Sequence, residues 1–202
     1  MTPPIRPGAT IGILGGGQLG RMTGLAARSM GYDVRVLDPD PHAPARAIAS
    51  ASLTAPFDDA DAAAELARAC DVVTVEIEKI AVSSLDAASR HAPVRPSSAI
   101  LHMAQDRARQ KEWLRAHGFP LGPYEIATSA GSCAAAIQSL GGPAIVKSSM
   151  GGYDGRGQVH VASASEAATA WTAVGATACV VERRLDLEFE LSVLVARRPG
   201  GD

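Results

Sequence analysis

Short apolar runs alternate with amphipathic stretches along the first half of the chain. Residues 10–14 have the length of a buried strand and are followed by a glycine turn and an amphipathic stretch. A second run, 33–37, ends in Asp-Pro-Asp-Pro, where proline removes the backbone donors that a central strand needs. A helix that Asp58 or Asp59 can cap and that runs to Ala69, and strands at 71–75 and 93–96, extend the alternation. This order predicts β-α-β units and a parallel sheet.

The pattern changes after residue 118. A helical region over 97–117 ends at a Gly-Phe-Pro sequence, so we expect a domain boundary between residues 118 and 119. Beyond it, short strands and helices surround a glycine-rich loop, and the last predicted strand, 188–196, runs into a turn-like sequence. The predicted fold class is therefore α/β: a Rossmann-like parallel-sheet domain over 1–118, followed by an incomplete α+β domain over 119–202.

Composition and charge narrow the classes of partner. The chain has 202 residues, 47% of them hydrophobic, and its 19 basic and 21 acidic side chains give a formal net charge of -2. No general attraction to nucleic acid or to an anionic membrane follows, so we expect neither as a partner. No apolar run reaches the roughly 18 residues of a membrane span, and no signal peptide is evident at the start. Three scattered cysteines without a Cys-x-x-Cys pair predict a reduced, cytoplasmic protein without a disulfide framework or zinc site.

A glycine-rich turn follows the first strand. Gly15, Gly17 and Gly20 have the Gly-x-Gly-x-x-Gly spacing, and Asp38 lies 18 residues beyond Gly20, near the place of a ribose-binding acid in a dinucleotide fold. Taken alone, this spacing favours NAD. The physical requirement is broader, because glycines and a helix N-terminus accommodate any phosphate, and the same glycines could serve packing only.

Two carboxylates follow a buried strand. Glu76 and Glu78 are two positions apart, so an extended backbone would place them on the same side. They are expected at the carboxyl edge of the sheet, where open α/β sheets bind ligands. One of them could accept hydrogen bonds from a substrate amine or a ribose hydroxyl. The alternative is a solvated strand end in which Glu78 pairs with a neighbouring cation.

The most specific feature is the loop over 147–158. Lys147 ends an apolar strand, and glycines, Tyr153 and Arg156 follow it, which predicts a mobile flap over a polyphosphate. Arg156 adds a planar donor fork suited to a phosphate or carboxylate. The loop lacks the Gly-x-x-x-x-Gly-Lys spacing of a Walker P-loop. Further along, the strand at 180–182 passes into a linker before Glu190, a weak indication of adenine and ribose recognition.

Four elements together resemble a known enzyme family. They are Gly-Gly-Gly-Gln-Leu-Gly-Arg-Met at 15–22, Glu-Ile-Glu at 76–78, Asp106-Arg107 followed by Gln110-Lys111, and Gly-Gly-Tyr-Asp-Gly-Arg-Gly-Gln at 151–158. In this order they resemble the 5-(carboxyamino)imidazole ribonucleotide synthases, ATP-grasp ligases of purine biosynthesis. The element at 151–158 discriminates this family from formate-dependent glycinamide ribonucleotide transformylase, which is the runner-up.

The resemblance implies a pre-ATP-grasp domain followed by the N-terminal part of an ATP-grasp domain. It implies ATP- and bicarbonate-dependent carboxylation of aminoimidazole ribonucleotide through carboxyphosphate, a carbon–nitrogen bond-forming reaction. It assigns catalytic roles to Lys147, Arg156 and Glu76, and substrate contacts to Gln18, Leu19, Glu76, Tyr153 and Arg156. The implied ATP contacts are Arg107, Lys147, Gly152, Tyr153, Asp154, Gly155, Arg156, Gly157, Gln158, Glu182, Arg183, Arg184, Leu185 and Glu190.

The resemblance also sets limits on the chain itself. The Mg²⁺ ligands of the family are expected in a C-terminal half that this sequence does not contain, so no metal ligand is assigned here and the 202-residue chain alone is expected to be inactive. The full-length parent is expected to be a homodimer. Two other classes stay open from the residues alone: an NAD(P)-dependent oxidoreductase and a non-catalytic nucleotide-binding module.

Overall fold

The computed structural model describes residues 4–152, 156–175 and 177–196. The chain divides into two compact units, the first ending at Gln105 and the second beginning at Asp106. This division lies ahead of the boundary expected between residues 118 and 119. Each unit has its own sheet and its own hydrophobic core.

The first unit is built on a parallel sheet of five strands in the order β3-β2-β1-β4-β5. The strands are β1 (Thr10–Leu14), β2 (Asp33–Leu37), β3 (Ala51–Leu53), β4 (Val72–Val75) and β5 (Val94–Arg95). The register pairs Ile13 of β1 with Val36 on one side and with Thr74 on the other. The parallel sheet predicted from the alternating pattern is therefore confirmed.

Helices cover both faces of this sheet. They are α1 (Gln18–Ser29), α2 (Ala60–Arg68), α3 (Val82–Ser89) and α4 (Ser98–Ala104), with a short 3₁₀ helix at Pro44–Ala47. One buried cluster contains Leu14, Leu37 and Leu85, and a second contains Ile13, Val34 and Val36, as expected of strands that alternate between two covered faces.

The second unit has an antiparallel sheet in the order β6-β9-β7-β8. Its strands are β6 (Tyr124–Ala127), β7 (Ala144–Ser148), β8 (Gln158–Val161) and β9 (Cys179–Arg183). Its helices are α5 (Arg107–Ala116), α6 (Ala130–Ser139) and α7 (Ala167–Val174), with a 3₁₀ turn at Ala164–Glu166. Residues of α6 and α7 bury Val146 and Val181, whereas Lys147 and Glu182 alternate with them and lie on the opposite face of the sheet.

The helical region predicted over 97–117 is two helices. Gln105 donates through Nε2 to the carbonyl oxygens of Glu78 (2.7 Å) and Ile80 (2.8 Å), which holds it in the first unit. Asp106 leaves the helical conformation and caps α5, accepting from the Ala108 backbone N–H at 2.9 Å. An N-cap residue cannot continue a helix, so the predicted helical region is confirmed as two helices, and the division of the chain falls between them.

The strand predicted over 188–196 is not formed. These residues have no regular structure, and Leu191, Val193 and Leu194 are 79, 80 and 94% exposed. A strand requires the backbone groups of a neighbour, and no segment within the described ranges pairs with it. The alternating apolar pattern is present, but it is not sufficient to make a strand.

Candidate functional site

The order of the first sheet fixes where a ligand can enter the first unit. The connections reverse direction between β1 and β4, and open α/β sheets bind ligands in the crevice outside the carboxyl ends of the strands at such a point. The glycine turn follows β1, and Glu76 follows β4. The Glu76 N–H donates to the Leu14 carbonyl oxygen at 2.9 Å and the Gly15 N–H donates to that of Leu37 at 2.9 Å. Backbone hydrogen bonds therefore hold both elements at this edge.

The Glu76 carboxylate lies directly against the glycine turn. A Cβ atom on Gly15 would stand 2.6 Å from Glu76 Oε2, and one on Gly17 would stand 2.7 Å from Oε1. Gly15 also has φ +102°, a conformation that side chains disfavour. These glycines are therefore required to admit the carboxylate, whatever else binds at the crevice.

Three predicted substrate contacts of the first unit are brought together here. Gln18 and Leu19 are the first residues of α1 and are exposed, and they follow Gly17, against which Glu76 packs. Glu78 does not extend the pair as expected, because β4 ends at Val75 and the chain turns over 76–79. The condition for a shared side, an extended backbone over 76–78, is therefore not met.

Asp38 does not have the ribose-binding role that the spacing favours. It is 8% exposed, and its two oxygens accept from the Gly16 N–H at 2.6 Å and from the Asp40 N–H at 2.8 Å. Both oxygens are therefore bound to backbone N–H groups, one of them in the glycine turn. Arg46, which no motif indicated, supports this segment by donating to the carbonyl oxygens of Asp38 (3.3 Å) and Leu53 (2.9 Å).

In the second unit, two lysines share one carboxylate. Lys147 Nζ lies 2.6 Å from Glu182 Oε2, and Lys111 Nζ lies 3.0 Å from Glu182 Oε1. Burial by itself raises the pKa of Glu182, but hydrogen bonds and charge from the two lysines outweigh burial and lower that pKa. The cluster is largely shielded, since the three side chains are between 17 and 23% exposed. It carries one positive charge in excess, which suits an anion.

The start of α5 and the end of β7 together fix the base of the glycine-rich loop. Arg107 donates through Nη1 to the Ser148 carbonyl oxygen at 2.9 Å and through Nη2 to that of Gly152. The Ser148 N–H donates to the Gly157 carbonyl oxygen at 2.8 Å, which closes the other side of the loop. Arg107 therefore holds the backbone of Ser148 and Gly152 together.

Asp106 ties the same two elements together. Its carboxylate accepts from the hydroxyl of Ser149, a residue only 4% exposed, as well as from the first N–H groups of α5. Burial raises the pKa of Asp106, but the Ser149 hydroxyl and the backbone donors outweigh it and hold that pKa below its usual value. The carboxylate is consequently charged at neutral pH, where a helix N-terminus favours it.

The other predicted ATP contacts are not gathered at one end of the second sheet, because Gln158 pairs with Lys147 at the end of β7 and Arg183 pairs with Ala144 at its beginning. Arg156 is exposed in the loop, Gln158 begins β8, and Arg183 ends β9. The exposed residues that follow β9 include Arg184, Leu185 and Glu190. The predictions for Tyr153, Asp154 and Gly155 lie outside the described residues.

Lys111, the third member of the cluster with Lys147 and Glu182, was not predicted to have a role. It follows Arg107 by four positions on α5 and so faces the same way, a spacing that could have indicated it. Its ammonium group also lies 4.9 Å from the centre of the Tyr124 ring.

Neither a metal cluster nor a membrane helix is found in the part of the chain that the structure describes. Over the described ranges, no group of three or more His, Cys, Asp or Glu side chains could hold a metal ion. None of the helices formed by these residues is long and apolar enough to cross a membrane.

Comparison with known proteins finds two family models and many named homologues. Residues 8–105 match the ribonucleotide synthetase preATP-grasp domain, and residues 112–202 match the ATP-grasp domain. An N5-carboxyaminoimidazole ribonucleotide synthase of Brucella melitensis is 40% identical over 200 residues, which are 98% of this chain and 55% of that protein. The chain is homologous to N5-carboxyaminoimidazole ribonucleotide synthases. The predicted fold class, a pre-ATP-grasp domain followed by part of an ATP-grasp domain, is thereby confirmed.

Solved synthase structures share this fold. The Staphylococcus aureus N5-carboxyaminoimidazole synthetase complexed with ADP superposes with a TM-score of 0.85 at 36% identity, covering 91% of this chain and 49% of that one. The Aspergillus clavatus enzyme in complex with ADP and 5-aminoimidazole ribonucleotide gives 0.79 at 30% identity, covering 89% and 47%. The chain spans about half the length of the curated relatives it matches.

Proposed function

We propose that this chain is part of a ligase that carboxylates 5-aminoimidazole ribonucleotide with ATP and bicarbonate, giving 5-(carboxyamino)imidazole ribonucleotide for purine biosynthesis. The observation that carries the proposal is the 40% identity, across 98% of the chain, to a synthase of that name. The complexes of relatives with ADP and with 5-aminoimidazole ribonucleotide support the same substrates here.

The reaction has two steps. An oxygen of bicarbonate attacks the γ-phosphorus of ATP, and ADP leaves, so carboxyphosphate forms. The exocyclic amine of the ribonucleotide then attacks the carboxyl carbon, phosphate leaves and the amine loses a proton. Carboxyphosphate reacts readily with water, so the loop over 151–158 must close over it, and its glycines supply the freedom to do so.

The residues of the second unit take the nucleotide in this proposal. Lys147 stabilises the charge that develops on the transferred phosphoryl group, and the loop amides with Arg156 hold the phosphates. Arg107 anchors the loop, and the segment after Glu182 receives the adenosine with Glu190. The ion pair between Lys147 and Glu182 supports this role, because it keeps the ammonium group on the face of the sheet opposite the hydrophobic core.

The residues of the first unit take the ribonucleotide. Gln18 and Leu19 at the start of α1 contact it, and the Glu76 carboxylate orients its amine. Their joint position at the crevice between β1 and β4 supports the assignment. Tyr153 and Arg156 complete the substrate contacts in the proposal.

ATP-dependent phosphoryl transfer requires Mg²⁺, and the proposal assigns none of the described residues as its ligand. No step above is therefore assigned to a metal, and its ligands are proposed to lie in the part of the parent protein beyond this chain. A cytoplasmic location and a homodimeric parent remain predictions.

The test is ADP release by the full-length parent. Release should depend on bicarbonate plus aminoimidazole ribonucleotide, and Lys147→Ala should lower it by about 10²-fold or more. Lys79→Ala, which changes an exposed lysine of the first unit, serves as the matched control and should retain the parent's rate. The 202-residue chain alone should show little turnover. Release that depends instead on formate plus glycinamide ribonucleotide would refute the proposal.

A further inference from the structure

Glu182 divides its carboxylate between two cations that come from different elements. Oε2 pairs with Lys147 of β7, the lysine proposed to meet the phosphates, and Oε1 pairs with Lys111 of α5. The three side chains are mostly withdrawn from water. One carboxylate therefore links the functional lysine to a second lysine that the proposed reaction does not use.

Lys111 lowers the free energy needed to separate Lys147 from Glu182. Lys147 can move onto a phosphate only if it loosens its contact with Glu182. A partly buried carboxylate left without a partner is strongly disfavoured, because it has lost hydration and gains nothing in return. Lys111 keeps Glu182 paired after Lys147 leaves, so the transfer of Lys147 costs less.

Contacts on α5 and β6 keep Lys111 in place independently of Lys147. Its ammonium group lies over the ring of Tyr124 at 4.9 Å. The Tyr124 hydroxyl donates to Glu112 Oε1 at 3.0 Å, and Glu112 pairs with Arg115 one turn further along α5. The aromatic ring is thus fixed from both strand and helix, and Lys111 does not need Lys147 to be correctly placed.

We propose that Lys111 is a positioning residue. It stays paired with the Glu182 carboxylate, so that Lys147 is free to bind the nucleotide phosphates. This inference rests on the proposed function of Lys147. The rival explanation is that Lys111 contacts the nucleotide itself.

A double-mutant cycle on ADP binding separates the two explanations. The affinity of the chain for ADP with MgCl₂ is measured by calorimetry for the wild type, Lys111→Met, Glu182→Gln and the double variant. Lys111→Met should weaken binding by about tenfold in the wild-type background and by less than about twofold with Glu182→Gln, because no carboxylate is then left unpaired. Lys111→Arg should bind within about threefold of the wild type.

Three results of the binding measurements would overturn the inference. Loss of the same factor in both backgrounds overturns the inference in favour of direct nucleotide contact. Unchanged binding by Lys111→Met also overturns it. Weakened binding that Lys111→Arg does not restore indicates a packing role for the lysine and counts against it. Circular dichroism melts of each variant establish that the fold is retained.

Lysine labelling tests the same inference without a nucleotide. The rate of acetylation at each lysine is measured by mass spectrometry, with Lys79 as the internal reference. Glu182→Gln should raise labelling of both Lys111 and Lys147 severalfold, and Lys111→Met should lower labelling of Lys147, which then holds the carboxylate alone. Unchanged rates in these variants overturn the inference. Failure of both the wild-type chain and its parent to bind ADP counts instead against the proposed function, and labelling still decides the role of Lys111.

Discussion

Replacing Asp38 by Asn tests whether this carboxylate holds the glycine turn. Both of its oxygens accept backbone N–H groups, from Gly16 at 2.6 Å and Asp40 at 2.8 Å, and the residue is 8% exposed. Asparagine keeps one acceptor, but its NH₂ group must face the other backbone donor. A hydrogen bond to a charged group contributes about 1.5–3 kcal/mol, so the loss of one and the weakening of the other should cost about 2–4 kcal/mol.

Urea unfolding followed by circular dichroism measures this cost. With a slope of about 2 kcal/mol/M, the midpoint should fall by about 1–2 M. Hydrogen exchange should also accelerate in peptides that cover residues 14–20, because the Gly16 N–H loses its acceptor. Asp58→Asn, at an exposed aspartate of the same unit, should stay within about 0.5 kcal/mol of the wild type. A midpoint for Asp38→Asn that matches the Asp58→Asn control would refute the reasoning.

Three further predictions concern the cores and the lysine cluster. Burial raises the pKa of the Cys179 thiol to about 12, so iodoacetamide at pH 8 should label it only after urea unfolding; rapid labelling of the folded chain would contradict this. Gly24→Ala should stay within about 1 kcal/mol of the wild type, because the new Cβ would stand 2.4 Å from Ile48 Cδ1, the end of a half-buried side chain that can rotate away, and alanine has the better helix propensity. A fall of more than about 1 M in the urea midpoint that Ile48→Val recovers would show instead that Ile48 cannot move. The pKa of Glu182 is lowered in the folded chain, so its stabilisation is present above its ordinary value of 4.5 and is lost as the pH falls through the lowered value. Glu182→Gln should thus destabilise the chain more at pH 7 than at pH 3 in urea unfolding, and an equal effect at both values would contradict the ion pairs.

The first sheet was predictable because its information is local. Strands β1 and β4 are short apolar runs, and α1 and α2 follow a glycine and a capping aspartate, so the local pattern was sufficient for these elements. Helix α3 follows Ala81 without a side-chain cap and was not predicted. Strand β3, Ala51–Leu53, was missed because its three residues include a serine and carry no apolar run. It forms because its backbone pairs with β2, and a local sequence pattern contains no information about such a partner.

The candidate site was predictable in its residue types but not in its pairings. Lys147 and Glu182 are 35 positions apart, and only the adjacency of β7 and β9 brings them together. Asp38 shows the opposite failure: its distance from Gly20 matched a known motif, but the turn directs its carboxylate inward to the backbone. Spacing along a sequence does not specify the direction of a side chain.

The chain passes from the first unit to the second at the peptide bond between residues 105 and 106. Gln105 is hydrogen-bonded within the first unit, and its neighbour Asp106 caps the first helix of the second, so the passage between them has no linker residues. For dissection of the gene, this makes residue 105 the natural end of a separately expressed first half. A version extended to residue 118 would carry α5 without Ser148 and Ser149, which anchor its start. The same bond is where recombination could exchange one module for another and leave the caps of both intact.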